Sequence, residues 1–588
     1  MSATESTLAA EPMTETEASP DPIALALEWP KCGIEGCAGV VIEEFGRCLA
    51  HLEFHERIDF LGRGLEAIDL RGVSVTRLLL DAVIRALPED GDVRVAADCR
   101  FEDATFVEGT NFRHVRFSGS CAFNRVVVKD YLSFAFCAFE PTYGCMFDRI
   151  EVKKSLTFEN CVAAGNVFLN DSSVFHLNVK QSSFAKALII LGLKGEILHL
   201  EAVEGGSFTL GTSTFQMANI KELRFAEAAL EQLEFPSQLS IDRSRVEAIR
   251  IGAINCGQTF AATASRFAGG GRLGPITAPL GSRITDCSFG DRPTLTVRSE
   301  RLNLRGTRFP DGANLVLGDA TVNLAETTFG QPSLLTRMEG DHVGPPNVLT
   351  AAGADLLNVA VDEVDLRECR FRHAHNLDAL RFTPRTAFAR SPSGIHGRRG
   401  LIPITYVSRR RVLHEEKLWR AKHRAAGWER LESEQTSEAP DAGEIAEYYR
   451  SLRRAREGAR DEPGAADFYY GEMEMRRLNS SATWSERVIL FLYWALSGYG
   501  LRASRALGAL AVLTAIFTVF FWRTGIAVPG RGRSGFWPAA TYALGAITLH
   551  PPARILTTAG EGVSVAFRVL GPALVALTLL SIRGRVRR

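Results

Sequence analysis

The sequence predicts a mainly β protein, a parallel β-helix of stacked four-sided coils with helical caps, followed by a helical hairpin and two transmembrane helices. Two observations predict the β-helix. Phe289, Phe309 and Phe329 recur at intervals of twenty residues, as do Leu295, Leu315 and Leu335, and Leu302 with Val322 and Leu304 with Leu324 share the interval. A solenoid needs this register, because each coil stacks its apolar residues on those of the coil below. Inside it lies a shorter period of about five residues, often with a small residue two positions before the apolar centre, as in Cys287–Phe289, Thr307–Phe309 and Thr327–Phe329. Neither a helical period of 3.6 nor strict strand alternation fits that pattern. The third observation concerns the membrane: Ala506 to Trp522 carries no charge, and Val563 to Ile582 is interrupted only by Arg568.

The repeat begins near Cys99. Phe101, Phe112, Phe123 and Phe134 step by eleven, with Phe106, Phe117, Val128 and Phe139 beside them, and Cys99, Ala104, Thr110, Val115, Cys121, Val126 and Cys137 fill the small position. Coils between Phe158 and Phe267 have no evident phase. The pattern returns at Leu357, Val359, Val364, Leu366, Cys369 and Phe371, after an excursion from Gly340 to Ala354. This grammar resembles that of the pentapeptide-repeat family, whose fold is a right-handed quadrilateral β-helix. The family's polar residue before the centre survives only in places, at Asn111, Asn303, Asn323 and Asp365.

Ahead of the repeat, Cys32, Cys37, Cys48 and His51 form a C-x4-C-x10-C-x2-H arrangement with Gly33, Gly36 and Gly46 beside the candidate ligands. Three thiolates and an imidazole suit a closed tetrahedral structural Zn2+ site with no open position for substrate. His55 is a substitute ligand, and three unligated cysteines in a turn-rich module are the alternative. Residues 56–98 then form a helical N-terminal cap, with Leu78, Leu79, Leu80, Val83 and Leu87 as its apolar stripe. Its task is to cover the open edge of the first coil.

The expected organisation is a disordered tail over 1–25, the Cys/His module over 26–55, the cap over 56–98 and the β-helix over 99–371. A basic cap and linker follow over 372–443, a helical hairpin over 444–480 and a membrane region over 481–588, with spans at about 506–522 and 563–582. Residues 1–22 hold five acidic and no basic side chains, unlike a signal peptide. In the hairpin, Ile445, Tyr448, Tyr449, Leu452 and Ala455 fall on one face, Pro463 and Gly464 break the helix, and a second begins at Ala465. Val488 to Leu496 is too short to cross and is placed at the membrane surface. Arg502, Arg505, Arg583, Arg585, Arg587 and Arg588 flank the two spans, against Arg523, Arg531, Arg533 and Arg554 between them, which favours both ends in the cytoplasm.

With 68 basic and 68 acidic residues, the chain lacks the basic excess of a general nucleic-acid binder and the acidity of a DNA mimic. No glycine fingerprint joins a strand to a helix, no C-x-x-C motif occurs, and His373 with His375 has no carboxylate motif to frame a metal. The strings Ala465 to Arg477 (AADFYYGEMEMRR) and Tyr493 to Arg502 (YWALSGYGLR) resemble signatures of bacterial membrane-anchored pentapeptide-repeat proteins. The resemblance covers nearly the whole chain and implies architecture, with no particular activity. Chains of this kind are sometimes labelled membrane-associated oxidoreductases, a distant alternative that the residues do not support. The first reading is a non-enzymatic interaction scaffold at the cytoplasmic face, with the lipid bilayer and an unknown protein as partners and a homo-oligomer through the membrane helices as a further option. The runner-up is an ion-channel-like protein whose Phe536 to Leu549 stretch re-enters the membrane, with Gly545 as its one filter-like residue.

Overall fold

The computed structural model describes residues 29–140, 144–340, 344–396, 405–407, 409–430, 439–527 and 535–586. The predicted disordered tail, the acidic linker core at 431–438, and Arg531 and Arg533 lie outside them. One sheet of 41 strands winds from Ile68 to Phe382 as a parallel β-solenoid. It makes about 13 turns of about 21 residues each.

The stacking follows from the side chains. Phe289, Phe309 and Phe329 pile face to face, with ring centroids 5.5 and 5.3 Å apart. The eleven-residue series resolves into two columns, because eleven residues are half a turn. Phe101 stacks on Phe123 at 4.4 Å and Phe112 on Phe134 at 5.1 Å, while Phe101 meets Phe112 edge-on across the core. The phaseless stretch is as regular as any other. Leu198, Val203, Phe208, Ser213, Ala218, Leu223, Ala228 and Leu233 recur at five-residue steps, and all are buried. Leu200, Leu210, Phe215, Ile220, Phe225, Leu230 and Phe235 hold the partner position two residues later, where Gly205 also stands.

Hydroxyls and thiols suit the small position because a turn carbonyl is within reach. Thr307 Oγ1 donates to Ile284 O at 2.7 Å, and Cys137 Sγ donates to Phe112 O at 3.3 Å. Ser172 Oγ accepts from Ile150 N at 3.0 Å. The cysteines from Cys99 onward are all buried and unpaired. Corner residues Asp103, Arg125 and Arg149 take left-handed backbone at φ 58, 55 and 51°, although none is glycine. That conformation costs about 1–2 kcal/mol per residue. Each corner amide donates to the next turn, Asp103 N to Asn124 O at 3.0 Å and Arg125 N to Asp148 O at 2.8 Å, which offsets the cost.

The N-terminal end differs from its prediction. The expected helical segment is two helices, α1 (Phe54–Gly62) and α2 (Arg77–Ala86), with strands Ile68–Asp69 and Ser74–Val75 between them. Those strands pair with Cys99–Arg100 and Thr105–Phe106, so winding starts about one turn earlier than Cys99. Thr76 caps α2 by accepting from Leu79 N, and Leu79, Leu80 and Val83 face the core. Leu78 does not belong to that stripe and is exposed. The excursion after Gly340 is also shorter than expected, since Asn347–Thr350 pairs with Thr321–Asn323.

Among the described residues, three helices close the other end: α3 (His414–Lys422), α4 (Ala442–Gly458) and α5 (Glu462–Leu478). Pro463 does not interrupt a helix. It sits in the first turn of α5, where its missing N–H has no partner to lose, behind the cap Asp461. Ile445, Tyr449, Leu452, Phe468 and Met475 join the same hydrophobic core as the solenoid phenylalanines. Beyond them come α6 (Trp484–Ser497), α7 (Ala503–Phe520), α8 (Phe536–Ile547) and α9 (Thr558–Val586). Ala503–Gly525 and Thr558–Leu579 are long and apolar enough to cross a membrane. Ala539, Ala543 and Ala546 let α8 pack closely into a separate core with Phe521 and Phe567.

Candidate metal centre

Cys32, Cys37, Cys48 and His51 come together at the N-terminal end of the solenoid. One ligand atom from each lies within 4.8 Å of every other. Cys37 Sγ is 3.7 Å from Cys48 Sγ, and His51 Nδ1 is 3.5 Å from Cys32 Sγ and 3.4 Å from Cys48 Sγ. Thiolate–metal bonds of about 2.3 Å and an imidazole bond of about 2.0 Å, arranged tetrahedrally, require S–S and S–N edges of about 3.8 and 3.5 Å. The four residues fit such an ion. The cluster could hold a metal, and it leaves no position for a substrate.

Local sequence builds this geometry. A short antiparallel bridge joins Lys31 to Val40, a second joins Ile42 to Arg47, and Gly46 takes φ 64° at the tight turn between the latter pair. A 3-10 turn, Leu49–His51, begins beside Cys48 and swings the His51 ring back over it. Backbone amides point at the sulfurs, Cys48 N to Cys32 Sγ at 3.3 Å and Gly39 N to Cys37 Sγ at 3.4 Å, as expected around thiolates. Burial resists ionisation of Cys32, but the backbone at Ile34 and Cys48 and the His51 ring overcome it, and the thiol falls to about 6. Burial, reinforced by the adjacent Cys37, pushes Cys48 up to about 12. A cation bound between these sulfurs would favour their thiolate forms, Cys48 included.

The module is joined to the solenoid and does not hang from it. Val40 N donates to Arg71 O at 2.7 Å, and Arg71 lies over the Trp29 ring at 5.3 Å. A side chain at Gly72 would meet Ala38 O at 2.2 Å, so the first turn and the module touch through backbone. Cys48, Leu49 and Leu52 belong to the solenoid core. The sequence pattern gave no sign of Trp29 and Gly72, because their role depends on the docking of two segments. His55 stands apart from the cluster, exposed and 3.6 Å from the Glu53 carboxylate. His373 donates its backbone N–H to Tyr448 Oη at 3.3 Å, and His375 bridges to Asp355 in the strand pattern, so both belong to the last turns.

A second polar cluster, buried where the solenoid meets the helices, was not legible as a site. Arg410 Nη2 reaches both Glu416 oxygens at 2.6 and 2.7 Å, and Tyr449 Oη donates to Glu416 Oε2 at 2.5 Å. Arg420 bridges Glu416 to Glu474 at 3.1 and 2.9 Å. Glu474 in turn holds Arg477 at 3.1 Å and Tyr499 at 3.2 Å. Burial raises Glu474 and the arginines Arg420, Arg477 and Arg410 outweigh it, leaving the carboxyl below its ordinary range. Glu415, next to Glu416, accepts from Phe371 N in the solenoid. A polar path therefore runs from Arg410 through Glu416, Arg420 and Glu474 to Tyr499 at the α6–α7 corner, while Glu415 ties α3 separately to the last turns. Neither family models, curated proteins nor solved structures gave a match to this chain.

Proposed function

We propose that this chain is a non-enzymatic, membrane-anchored scaffold. Its solenoid is a right-handed quadrilateral β-helix of the pentapeptide-repeat type, its Cys/His cluster holds structural Zn2+, and α7 and α9 fix it to the cytoplasmic face of a lipid bilayer. One observation carries the reading: the solenoid, the hairpin and the start of the apolar helices are welded through a shared core and the Arg410–Glu416–Glu474–Tyr499 network. A buried network of this kind fixes orientation more than it adds stability. A rod held rigidly on two apolar helices is suited to presenting its sides to a protein partner. The pore reading has less behind it, since a Cβ at Gly545 would stand 2.8 Å from His550 O, so this glycine closes the end of α8.

Two measurements test the proposal. The full chain should stay with membranes through alkaline carbonate extraction, and its solenoid should be digested by protease only from the cytoplasmic side. A photo-crosslinking residue at exposed Phe175 should give discrete protein adducts in cells. Release by carbonate would remove the anchor, and an absence of protein adducts from Phe175 and other outward positions would remove the scaffold.

A further inference from the structure

The ends of the basic segment before α3 are built in opposite ways. Arg410 points inward and is buried against Glu416. Its neighbours are more accessible, Arg409 exposed and Arg411 half-buried. Arg411 lies directly opposite Arg390 in a short antiparallel ribbon formed by Ala389–Arg390 and Arg411–Val412. Directly opposite residues share a face, and two like charges there are destabilising without a counter-charge.

That face forms one wall of a cavity of about 590 Å³, and Arg367 and Arg385 from the last solenoid turns form the other. Five arginines thus line a single concavity, and no carboxylate does among the described residues. Three of them are partly neutralised from behind. Arg367 pairs with Asp365, Arg385 with Glu363, and Arg411 stands 3.9 Å from Asp461. Arg390 and Arg409 make no ion pair among the described residues.

We propose that this cavity binds a phosphate-bearing small ligand. The planar, multi-donor guanidinium matches phosphate oxygens two at a time, which a lysine cluster would not do. Two arginines without an ion pair, beside three that are only partly neutralised, call for an anion of more than one charge, beyond what a single carboxylate supplies. The volume lies within the range of small-molecule pockets, so the ligand extends past one phosphate group. A soluble phosphate ester and a phosphorylated lipid headgroup present the same chemistry to these residues.

The test uses the full chain in nanodiscs of neutral phosphatidylcholine at low ionic strength, titrated calorimetrically with inorganic pyrophosphate and, in parallel, with short-chain phosphatidic acid. Saturable binding of either is expected, with the tighter probe naming the source. The double substitution Arg390→Gln/Arg409→Gln should weaken it at least tenfold, with Arg390→Lys/Arg409→Lys falling between. The unfolding temperature gives a second readout: pyrophosphate should raise it in the parent and leave it unchanged in the double glutamine variant. Binding of neither probe, affinity undiminished in the glutamine variant, or binding of a hexaglutamate peptide alone would overturn the proposal.

Discussion

The two ends of the solenoid solve the same problem with different chemistry. Each must cover an open sheet edge and its apolar core. At the N-terminal end the cover is small and centres on four candidate metal ligands, with α1 and α2 alongside. At the C-terminal end it is a helical hairpin packed with α3, and Arg410, Glu416, Tyr449 and Glu474 are buried between them. A cluster of about twenty residues has too little apolar surface to fold by itself, and a metal held by those ligands would add to what its contact with the solenoid core supplies. A hairpin of two 17-residue helices has enough, so its buried charges set direction. The difference teaches that one end is closed and the other is closed and aimed.

Solenoid turns contact only their neighbours, so damage at one end should not travel to the other. The largest expected effect is loss of the proposed metal site. Cys48→Ala, or a strong chelator, should cost on the order of several kcal/mol at the N-terminal end. Hydrogen exchange should rise through Ile68–Asp69 and Ser74–Val75 and stay unchanged in α4 and α5. Loosening of both ends together would break the comparison. Next comes Arg410→Met, which leaves Glu416 buried without its main partner and should cost about 3–5 kcal/mol. Its exchange signature should be confined to α3, α4 and α5, and removing Glu416 as well should recover part of the loss.

A smaller, pH-dependent effect separates the ends further. Burial pushes Glu415 up to about 7 from 4.5, so the folded state keeps a proton that the unfolded chain has released. Its contribution is complete below about pH 4.5 and is lost as pH rises to about 7. Glu415→Gln keeps an acceptor for Phe371 N and should be more stable than the parent above pH 7, by roughly 2–3 kcal/mol. The two should converge below about pH 5 in denaturant titrations. His414 acts in the opposite sense. Burial, with Arg370 and Lys417 beside it, lowers it to about 4, so stability falls as pH drops from 6.5, a slope the Gln variant should expose. Smallest is Thr76→Ala, which removes the cap of α2 and should cost about 1 kcal/mol. That loss should appear only at the N-terminal end.

Legibility in the sequence tracked how each residue does its work. Phe289, Phe309 and Phe329 announced the stacking because aromatic size leaves a narrow choice of position. The same positions between Leu198 and Phe235 were hard to phase, since Ala218, Ser213 and Ala228 also occur commonly on any surface. The cysteine cluster was legible from ligand spacing, which chemistry fixes within a short segment. Its docking through Trp29 and Gly72 was not, because it joins segments that spacing does not relate. Arg410 was hidden for the same reason. In the sequence it is one of three consecutive arginines, and only the fold turns the middle one inward. The early start at Ile68 was masked by α2, which interrupts the strands of a turn with a helical pattern.

One consequence follows from the parallel stacking itself. About 13 rungs, each rising about 4.8 Å, set the thiol cluster roughly 60 Å from the hairpin. The solenoid therefore has the proportions of a ruler. Under the scaffold proposal, a partner gripped at its far tip would stand at a height set by the number of turns, and duplicating one twenty-residue coil would raise that height by a single step.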